Sequence, residues 1–459
     1  MVKYIIFLIV SLVMYYQAPQ IMDKTFISVA LVIAFTSFFL FFGDGNSKKH
    51  FLNKIYLRHS IIFVACFMIV FYQCDLDFVL GFASEFDYFV YEPRVVCKAI
   101  ALSNIALVSI MIGYNLYKRR EASTKHTIIT TTSQIIVLNK FKWIHGLLVL
   151  IMLATYVMFV PREYFNRGYA AGVQSDLAVT IVGYVVAVFI AWFTIYSISY
   201  TNLRVSTNWT NYLFWPITIS LLYVFLVIIT GRRTEVVRVV FLLLASYVYC
   251  VRSNINYKRL LIWGVVAMLM FSLSGVIREM EDGTIGEGYI ALLDYKSVSP
   301  FTKELATSVN TLHIALANFP DKIDYTYGAS FFPGFLKIIP GLYGVISSTF
   351  EPGALNGSDQ IITNIYFGEG VVYYGLGSSV VADVYIAFGL PGVLIIFSLL
   401  GYFFRYLEIG TFCAIKSPYF LALSFSCYSQ CMFACRQNIA IFFLCWTYAC
   451  ILIFLIKKI

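Results

Sequence analysis

Residues 375–408 read GLGSSVVADVYIAFGLPGVLIIFSLLGYFFRYLE. From residue 389 to residue 407 the stretch is apolar or uncharged except for Arg405. A helix of about 20 apolar residues crosses the hydrocarbon core of a bilayer, so this window predicts a transmembrane helix. A Gly-rich lead with one carboxylate, Asp383, comes immediately before the window. The stretch therefore predicts both a membrane span and a polar boundary where that span begins.

The rest of the 459-residue chain has the same character. It is 60% apolar and only 12% charged, with a mean hydropathy of +0.81. Soluble globular proteins carry about 25% charged residues, so this composition excludes a soluble globular protein and a disordered one. The net charge of +9 does not indicate a nucleic-acid partner, because its meaning depends on the side of the membrane where each charge lies.

Apolar windows recur along the chain and predict an all-α polytopic membrane protein with about twelve transmembrane helices. The first window follows Lys3, and no small-residue cleavage site follows it between Gln17 and Gln20, so we expect an uncleaved span. The predicted spans are 3–17, 25–42, 60–73, 95–117, 143–160, 179–200, 212–230, 237–251, 260–277, 389–407, 418–437 and 439–456.

The charges are distributed unequally between the two sides of this arrangement. With a cytoplasmic N-terminus, the inner segments hold 19 of the 33 basic residues and only three of the 24 acidic ones. Basic residues concentrate on the cytoplasmic side of membrane proteins, so both termini are predicted to be cytoplasmic.

One connection is much longer than the others and divides the chain. Residues 278–388 form a predicted outer loop between spans nine and ten. The loop separates an N-terminal transmembrane region, 1–277, from a C-terminal one, 389–459. The end of this loop, 361–388, is apolar and Gly-rich, and we expect it to be partly re-entrant.

Several arginines lie at the predicted outer boundary, against the general charge distribution. Each can extend towards headgroups or pair with a neighbouring acid. Together they suit a lipid-linked phosphate or diphosphate, because guanidinium is always charged and binds phosphate with two hydrogen bonds. Lys98, inside span four, is predicted either to reach the interface or to join such a site. The four arginines are Arg232, Arg233, Arg278 and Arg436, and Arg238 lies one predicted turn further in.

Carboxylates and aromatics supply the complementary candidates. Asp383 is predicted either to act as a general base or to clamp an arginine. Asp75 and Asp77, expected in an outer loop, match the Asp-x-Asp of metal-dependent glycosyltransferases, a pattern that is common by chance. His313 is more typical of a structural histidine than of a catalytic base. The aromatic residues of the loop, including Tyr373 and Tyr374, suit either anchoring at the membrane interface or stacking on sugar rings.

The cysteines do not suggest a metal centre or a disulfide framework. Most lie in apolar runs, and Cys427, Cys431 and Cys435 share one helix face without a histidine or a Cys-x-x-Cys pair. We therefore predict no metal and no cofactor.

The C-terminal region resembles that of Wzy-type O-antigen polymerases, which show a Gly-rich lead, an acidic residue, a tyrosine two positions later and a Phe-Gly entry into a helix. The matching residues are Gly375, Gly377, Asp383, Tyr385, Phe388, Gly389 and Gly392. Gly231-Arg-Arg233, the loop from Leu312 to Pro340 and Arg436 are similar to further features of that family. Asp383 and Ala387 stand where the family usually has Glu and Asn.

This resemblance implies an enzyme of the bacterial inner membrane. Such polymerases transfer a growing glycan from undecaprenyl diphosphate, en bloc, to a new lipid-linked repeat unit at the periplasmic face. It implies catalytic roles for Asp383, Arg233, Arg278 and Arg436. Substrate-binding roles are then expected for Arg232, Arg238, Tyr385, Tyr373, Tyr374 and His313. The implied partners are the lipid-linked donor and acceptor, membrane lipid, a chain-length regulator and a flippase.

Two other functions stay open on the sequence alone. An O-antigen ligase shares the plan of spans and the large outer loop, but it typically uses a loop histidine in a His-Asn-like context, whereas Ile314 follows His313 here. A flippase or other transporter typically shows repeat symmetry and polar residues near the midplane. Here the unusual residues concentrate at the outer boundary.

Overall fold

The computed structural model describes most of the two ends of the chain and parts of the middle. The described residues are 1–44, 58–84, 92–117, 150, 153–154, 157–158, 187–195, 197, 213–229, 233–251, 297–299, 302–339, 341–349, 355–368, 376–412, 418–431 and 433–458. Every regular element within these ranges is a helix. The prediction of an all-α protein is therefore confirmed for this part of the chain.

The described α-helices are numbered here in chain order. The first six are α1 (Val2–Tyr16), α2 (Lys24–Asp44), α3 (His59–Leu80), α4 (Pro93–Leu116), α5 (Phe214–Ile229) and α6 (Arg233–Val251). Short helices follow in the predicted loop: α7 (Lys303–Ala306), α8 (Asn310–Asn318), α9 (Phe332–Leu336), α10 (Leu342–Ser347) and α11 (Ser358–Phe367). The last three are α12 (Val380–Phe412), α13 (Pro418–Gln430) and α14 (Ile441–Lys458).

Four of the described helices are long and apolar enough to cross a membrane. They are Lys24–Gly43, His59–Leu80, Pro93–Leu116 and Val380–Ile409, and shorter apolar helices occur at Val2–Tyr16, Phe214–Phe225, Val236–Tyr247 and Phe442–Leu455. Each of the eight overlaps a predicted span, although His59–Leu80 and Val380–Ile409 extend beyond the predicted 60–73 and 389–407. The predicted spans at 143–160 and 260–277 lie largely or wholly outside the described residues, so the total of twelve stays a prediction.

The chain forms two compact units, each built from separate segments. The first comprises Met1–Lys118, Tyr289–Ile409 and Cys431–Ile441. The second comprises Arg119–Gly288, Gly410–Gln430 and Phe442–Ile459, and within it α6 packs on both α5 and α13. The predicted division at residues 277 and 388 stays a prediction.

Helix α4 forms the centre of the first unit and packs against α1, α2 and α8. Its backbone touches that of α12 at two glycines. A Cβ at Gly113 would overlap the carbonyl of Ser398, and a Cβ at Gly401 would overlap the carbonyl of Ile110. Small residues let helices in a bilayer approach closely and gain van der Waals contact, which here holds α12 against α4.

Helix α12 consists of two parts that meet at Gly389. That residue has φ 65° and ψ −155°, a conformation in which glycine is favoured because it has no Cβ. Before the break, Val380 to Ala387 are all buried. After it, one exposed stripe suits contact with lipid: Ile395, Leu399, Tyr402 and Tyr406. The predicted start of the span at residue 389 therefore coincides with the break, while the helix itself begins at Val380.

Asp75 and Asp77 lie inside helix α3 rather than in a loop, which corrects the sequence-based expectation. The Asp77 carboxylate is buried and accepts hydrogen bonds from the Ser297 hydroxyl at 2.6 Å and the Val298 amide at 2.7 Å. It also pairs with Lys303 Nζ at 3.2 Å. The carboxylate thus binds residues 297–303, a segment of the predicted outer loop.

A second polar cluster lies near the other end of α3. The buried Glu408 accepts hydrogen bonds from the Ser60 hydroxyl at 2.6 Å and the Tyr114 hydroxyl at 2.7 Å, and Arg405 donates to Tyr114 at 2.7 Å. Between Ser60 and Asp77 the helix rises about 26 Å, close to the roughly 30 Å thickness of a hydrocarbon core. The two clusters mark the polar limits of the span.

Candidate functional site

Asp383 lies in the first turn of α12, at a position fixed by neighbouring polar groups. Its amide donates to the Ser379 carbonyl at 2.8 Å. The Ser379 amide donates in turn to the Thr311 hydroxyl on α8 at 3.0 Å. Because Ser379 is held by α8, the start of α12 and the carboxylate on it have a defined position.

The Asp383 side chain is fully buried and faces the connection between α13 and α14. Its Oδ1 accepts a hydrogen bond from Asn438 Nδ2 at 3.4 Å. Its Oδ2 accepts none of good geometry among the described residues, although the Ser358 hydroxyl and the Ile439 backbone are neighbouring polar groups. Ser358 is the first residue of α11, and a helix N-terminus favours a carboxylate beside it.

Arg436 lies two residues from Asn438, in the short 3₁₀ helix Ala434–Arg436. Its amide donates to the Phe433 carbonyl at 2.8 Å, and its side chain is half-buried. The thiol of the adjacent Cys435 contacts the Phe63 carbonyl on α3 at 3.6 Å. Two residues span at most about 7 Å, so the structure brings Arg436 and Asp383 into one neighbourhood.

The loop segment with Pro333 covers this neighbourhood. A Cβ at Gly334 would lie 3.0 Å from the Asn438 side chain, so the loop backbone approaches the amide closely. Asn438 Oδ1 also accepts a hydrogen bond from the Ala440 amide at 2.9 Å. The amide group of Asn438 is thereby oriented with its NH₂ towards Asp383.

Tyr385 lies two residues after Asp383 and belongs to a different cluster. Its hydroxyl is 3.4 Å from the Tyr15 hydroxyl and donates to the Phe319 carbonyl at 3.4 Å. The Tyr325 hydroxyl donates to it at 3.4 Å. Tyr325 lies against the break in α12, where a Cβ at Gly389 would come within 2.8 Å of its ring.

His313 lies on α8 and is almost completely buried. Burial lowers the pKa of His313 to about 4, because the charged imidazolium loses its hydration. The ring is therefore neutral near pH 7 and adds no positive charge for a phosphate. A role in substrate binding stays a prediction.

The remaining predicted residues are distributed as follows. Arg238 is buried on α6 in the second unit, and Arg233 begins that helix, with its side chain outside the described part. Outside the described residues lie Arg232, Arg278, Tyr373 and Tyr374. Their roles stay predictions.

Sequence reasoning missed three residues that the structure places beside the predicted ones. Asn438 was visible in the stretch Cys435-Arg-Gln-Asn438 but carries no charge that would single it out. Ser358 and Tyr15 are distant in sequence from Asp383 and Tyr385, so only the fold brings them together.

The Asp383 neighbourhood combines a buried carboxylate and an oriented amide with an arginine two residues before that amide along the chain. A carboxylate can accept a proton from a hydroxyl, and a guanidinium can bind a phosphate, so the combination suits a reaction between these two groups. Among the described residues, no group of three or more His, Cys, Asp or Glu side chains is placed to bind a metal ion.

Comparison with known proteins gives one match. The family model described as O-antigen polysaccharide polymerase Wzy matches residues 1–459, the full length of the sequence. No curated protein and no solved structure matches the chain.

Proposed function

The chain belongs to the O-antigen polysaccharide polymerase Wzy family, and on that premise we propose that it transfers a growing glycan en bloc from undecaprenyl diphosphate to a new lipid-linked repeat unit. Members of the family are multi-pass membrane proteins that act as polymerases on lipid-linked oligosaccharides in O-antigen synthesis. We propose three further points: the identity of the donor, the direction of transfer and the residues that catalyse the transfer.

The observation that carries the proposal is the buried Asp383 beside the connection that bears Asn438 and Arg436. These residues come from α12 and from the segment between α13 and α14, both within the first unit. They lie where the charge distribution predicts the outer boundary of the membrane. A lipid-linked substrate presents its diphosphate at that depth, because its polyprenyl chain is in the bilayer and its sugars are in water.

In the proposed reaction, a hydroxyl of the acceptor sugar attacks the anomeric carbon of the donor. A new glycosidic C–O bond forms, and the bond between the anomeric carbon and the diphosphate oxygen breaks. Asp383 takes the proton of the attacking hydroxyl. Undecaprenyl diphosphate leaves with the electron pair, so the reaction needs no nucleotide and no oxidant.

Arginines stabilise the leaving group in this scheme. Negative charge develops on the diphosphate as the bond breaks, and preorganised cations lower the energy of that state most. Arg436, which lies in the first unit, is assigned this role. The catalytic roles of Arg233 and Arg278 and the binding roles of Arg232 and Arg238 stay predictions from the sequence.

We place the reaction at the periplasmic face of the bacterial inner membrane, with both termini cytoplasmic, twelve spans and the large loop outside. The excess of basic residues in the inner segments supports this orientation. A chain-length regulator and a flippase are the proposed partners, because the reaction consumes outward-facing repeat units and must stop at a given length.

The test is complementation of a strain that lacks the gene, with the lipopolysaccharide ladder on gels as the readout. We expect Asp383→Asn and Arg436→Ala at normal protein levels to give single repeats only. Asp324→Asn and Lys322→Ala change exposed charges of the loop and serve as matched controls that restore full-length polymer.

Full-length polymer from both site variants would overturn the proposed site. A deletion strain that retains normal-length polymer on its lipid carrier would instead indicate a ligase. Lipid-linked repeat units that face inward would indicate a flippase.

A further inference from the structure

A cluster of four polar side chains lies beside the Asp383 site but takes no part in it. Lys98 comes from α4, Tyr15 from α1, Tyr325 from the predicted loop and Tyr385 from α12. We call these residues the lysine–tyrosine cluster. All four belong to the first unit, and they converge from segments far apart in sequence.

Lys98 is the unusual member, because it is a cation within a membrane-spanning helix. It lies five residues after Pro93, about 7.5 Å along the helix from its start. Its Nζ lies 5.1 Å from the centroid of the Tyr15 ring. Within the described part of the chain, no carboxylate pairs with it. A cation at this depth is costly to bury, and a ring face offsets only part of that cost.

The tyrosine hydroxyls are held loosely. Each of the contacts from Tyr385 to Tyr15, Tyr325 and the Phe319 carbonyl measures 3.4 Å. Hydroxyl hydrogen bonds usually measure about 2.7–2.8 Å. These hydroxyls can therefore turn to a better acceptor, such as a phosphate oxygen, at little cost.

The cluster and the Asp383 site occupy opposite faces of one helix. Successive residues of an α-helix are separated by about 100°, so Asp383 and Tyr385 point about 200° apart. Asp383 contacts Asn438 on one side, and Tyr385 contacts Tyr15 and Tyr325 on the other. The buried turn of α12 thus separates two polar sites by about the width of a helix.

An exposed apolar surface of α1 leads to the cluster. Helix α1 has an exposed apolar stripe that ends next to Tyr15, formed by Ile6, Ile9, Val13 and Tyr16. A polyprenyl chain that lies along this stripe brings its phosphate to the end of α1, where Lys98 and Tyr15 meet.

We propose that the lysine–tyrosine cluster binds the diphosphate of a second lipid-linked substrate, the acceptor repeat unit. This inference rests on the proposed function, because a polymerase of this kind holds two lipid diphosphates at once. Arg436 then holds the donor diphosphate, while Lys98 and the hydroxyls of Tyr15 and Tyr325 hold the acceptor diphosphate. Asp383 takes the proton of the acceptor hydroxyl, as in the proposed reaction.

The first test is native mass spectrometry of the full chain in phosphatidylcholine nanodiscs with undecaprenyl diphosphate. The wild type is expected to bind two molecules, and both Lys98→Ala and Arg436→Ala to bind one. Lys3→Ala is the matched control, because Lys3 Nζ also lies 5.1 Å from a tyrosine centroid, that of Tyr4, at the other end of α1. It is expected to leave two molecules bound.

Kinetics separate the two sites. At saturating donor, Lys98→Ala is expected to raise the KM for the repeat unit about tenfold, the effect of losing one charged hydrogen bond, with kcat within about twofold. Lys98→Arg is expected to restore most of the affinity, and Tyr325→Phe to raise KM less. Melting temperatures check that each variant folds.

Several results would overturn the proposal. One is a KM for the repeat unit in Lys98→Ala equal to that of the wild type. Another is binding of two undecaprenyl diphosphate molecules by that variant. If phosphatidylglycerol displaced the bound undecaprenyl diphosphate as effectively as further undecaprenyl diphosphate does, the cluster would be a site for ordinary lipid headgroups. A wild-type chain that binds two diphosphates but forms no polymer would contradict the proposed function while leaving the cluster intact as a binding site.

Discussion

Replacing Asp77 by alanine tests whether α3 anchors residues 297–303 of the predicted outer loop. The carboxylate accepts from the Ser297 hydroxyl and the Val298 amide and pairs with Lys303. Removing one partner of a buried pair costs about 3–5 kcal/mol. Because the Lys303 side chain is 16% exposed and can turn to water, we take the lower value, about 3 kcal/mol.

Hydrogen exchange followed by mass spectrometry measures this cost locally. A loss of about 3 kcal/mol raises the exchange rate of the amides in 297–303 about a hundredfold, if these residues open together. Asp324→Ala, an exposed acid of the same loop, is expected to leave that rate unchanged.

A double-mutant cycle with Lys303→Met isolates the ion pair. The coupling between Asp77 and Lys303 is expected to be about 1 kcal/mol, with the rest of the loss due to the two hydrogen bonds. Unchanged exchange of 297–303 in Asp77→Ala would refute the idea that this carboxylate anchors the loop.

Two further predictions concern the stability of the first unit. Gly401→Ala is expected to destabilise the protein by about 3 kcal/mol or more, because the new Cβ overlaps the Ile110 carbonyl; Gly43→Ala, where a Cβ meets nothing within 4 Å, should leave the melting temperature in detergent unchanged or higher. For His313, the pKa falls from about 6.5 in the unfolded chain to about 4 on burial. The free energy of unfolding therefore has its full value above pH 6.5 and decreases as the pH falls towards 4, because the unfolded chain binds a proton that the buried ring does not. The wild type should lose up to about 3 kcal/mol across that window relative to His313→Gln, and parallel pH profiles of the two proteins would contradict the assignment.

Hydropathy predicted the described spans well, because the need to satisfy backbone groups in lipid leaves few alternatives to a helix. The predicted windows 25–42 and 95–117 coincide with α2 and α4 to within a few residues.

The predicted loop position of Asp75 and Asp77 is wrong, because charges in a sequence suggest a loop. The fold supplies a serine, an amide and a lysine from 220 or more residues away, which sequence windows do not contain.

The site was only partly predictable for a related reason. Asp383 and Arg436 attract notice because charges are rare in this chain. Asn438 and Ser358 have no such signal, and their importance depends on contacts made across the fold. The separation of Asp383 from Tyr385 onto two helix faces required knowing that α12 begins at Val380 rather than at residue 389.

The most direct test of the central claim uses purified protein with defined lipid-diphosphate repeat units and follows polymer formation over time. The wild type is predicted to form polymer with chelator present, whereas Asp383→Asn, folded and at the same concentration, forms it at least about a hundredfold more slowly, the usual effect of losing a general base. Polymer formed by Asp383→Asn at the wild-type rate would contradict the account.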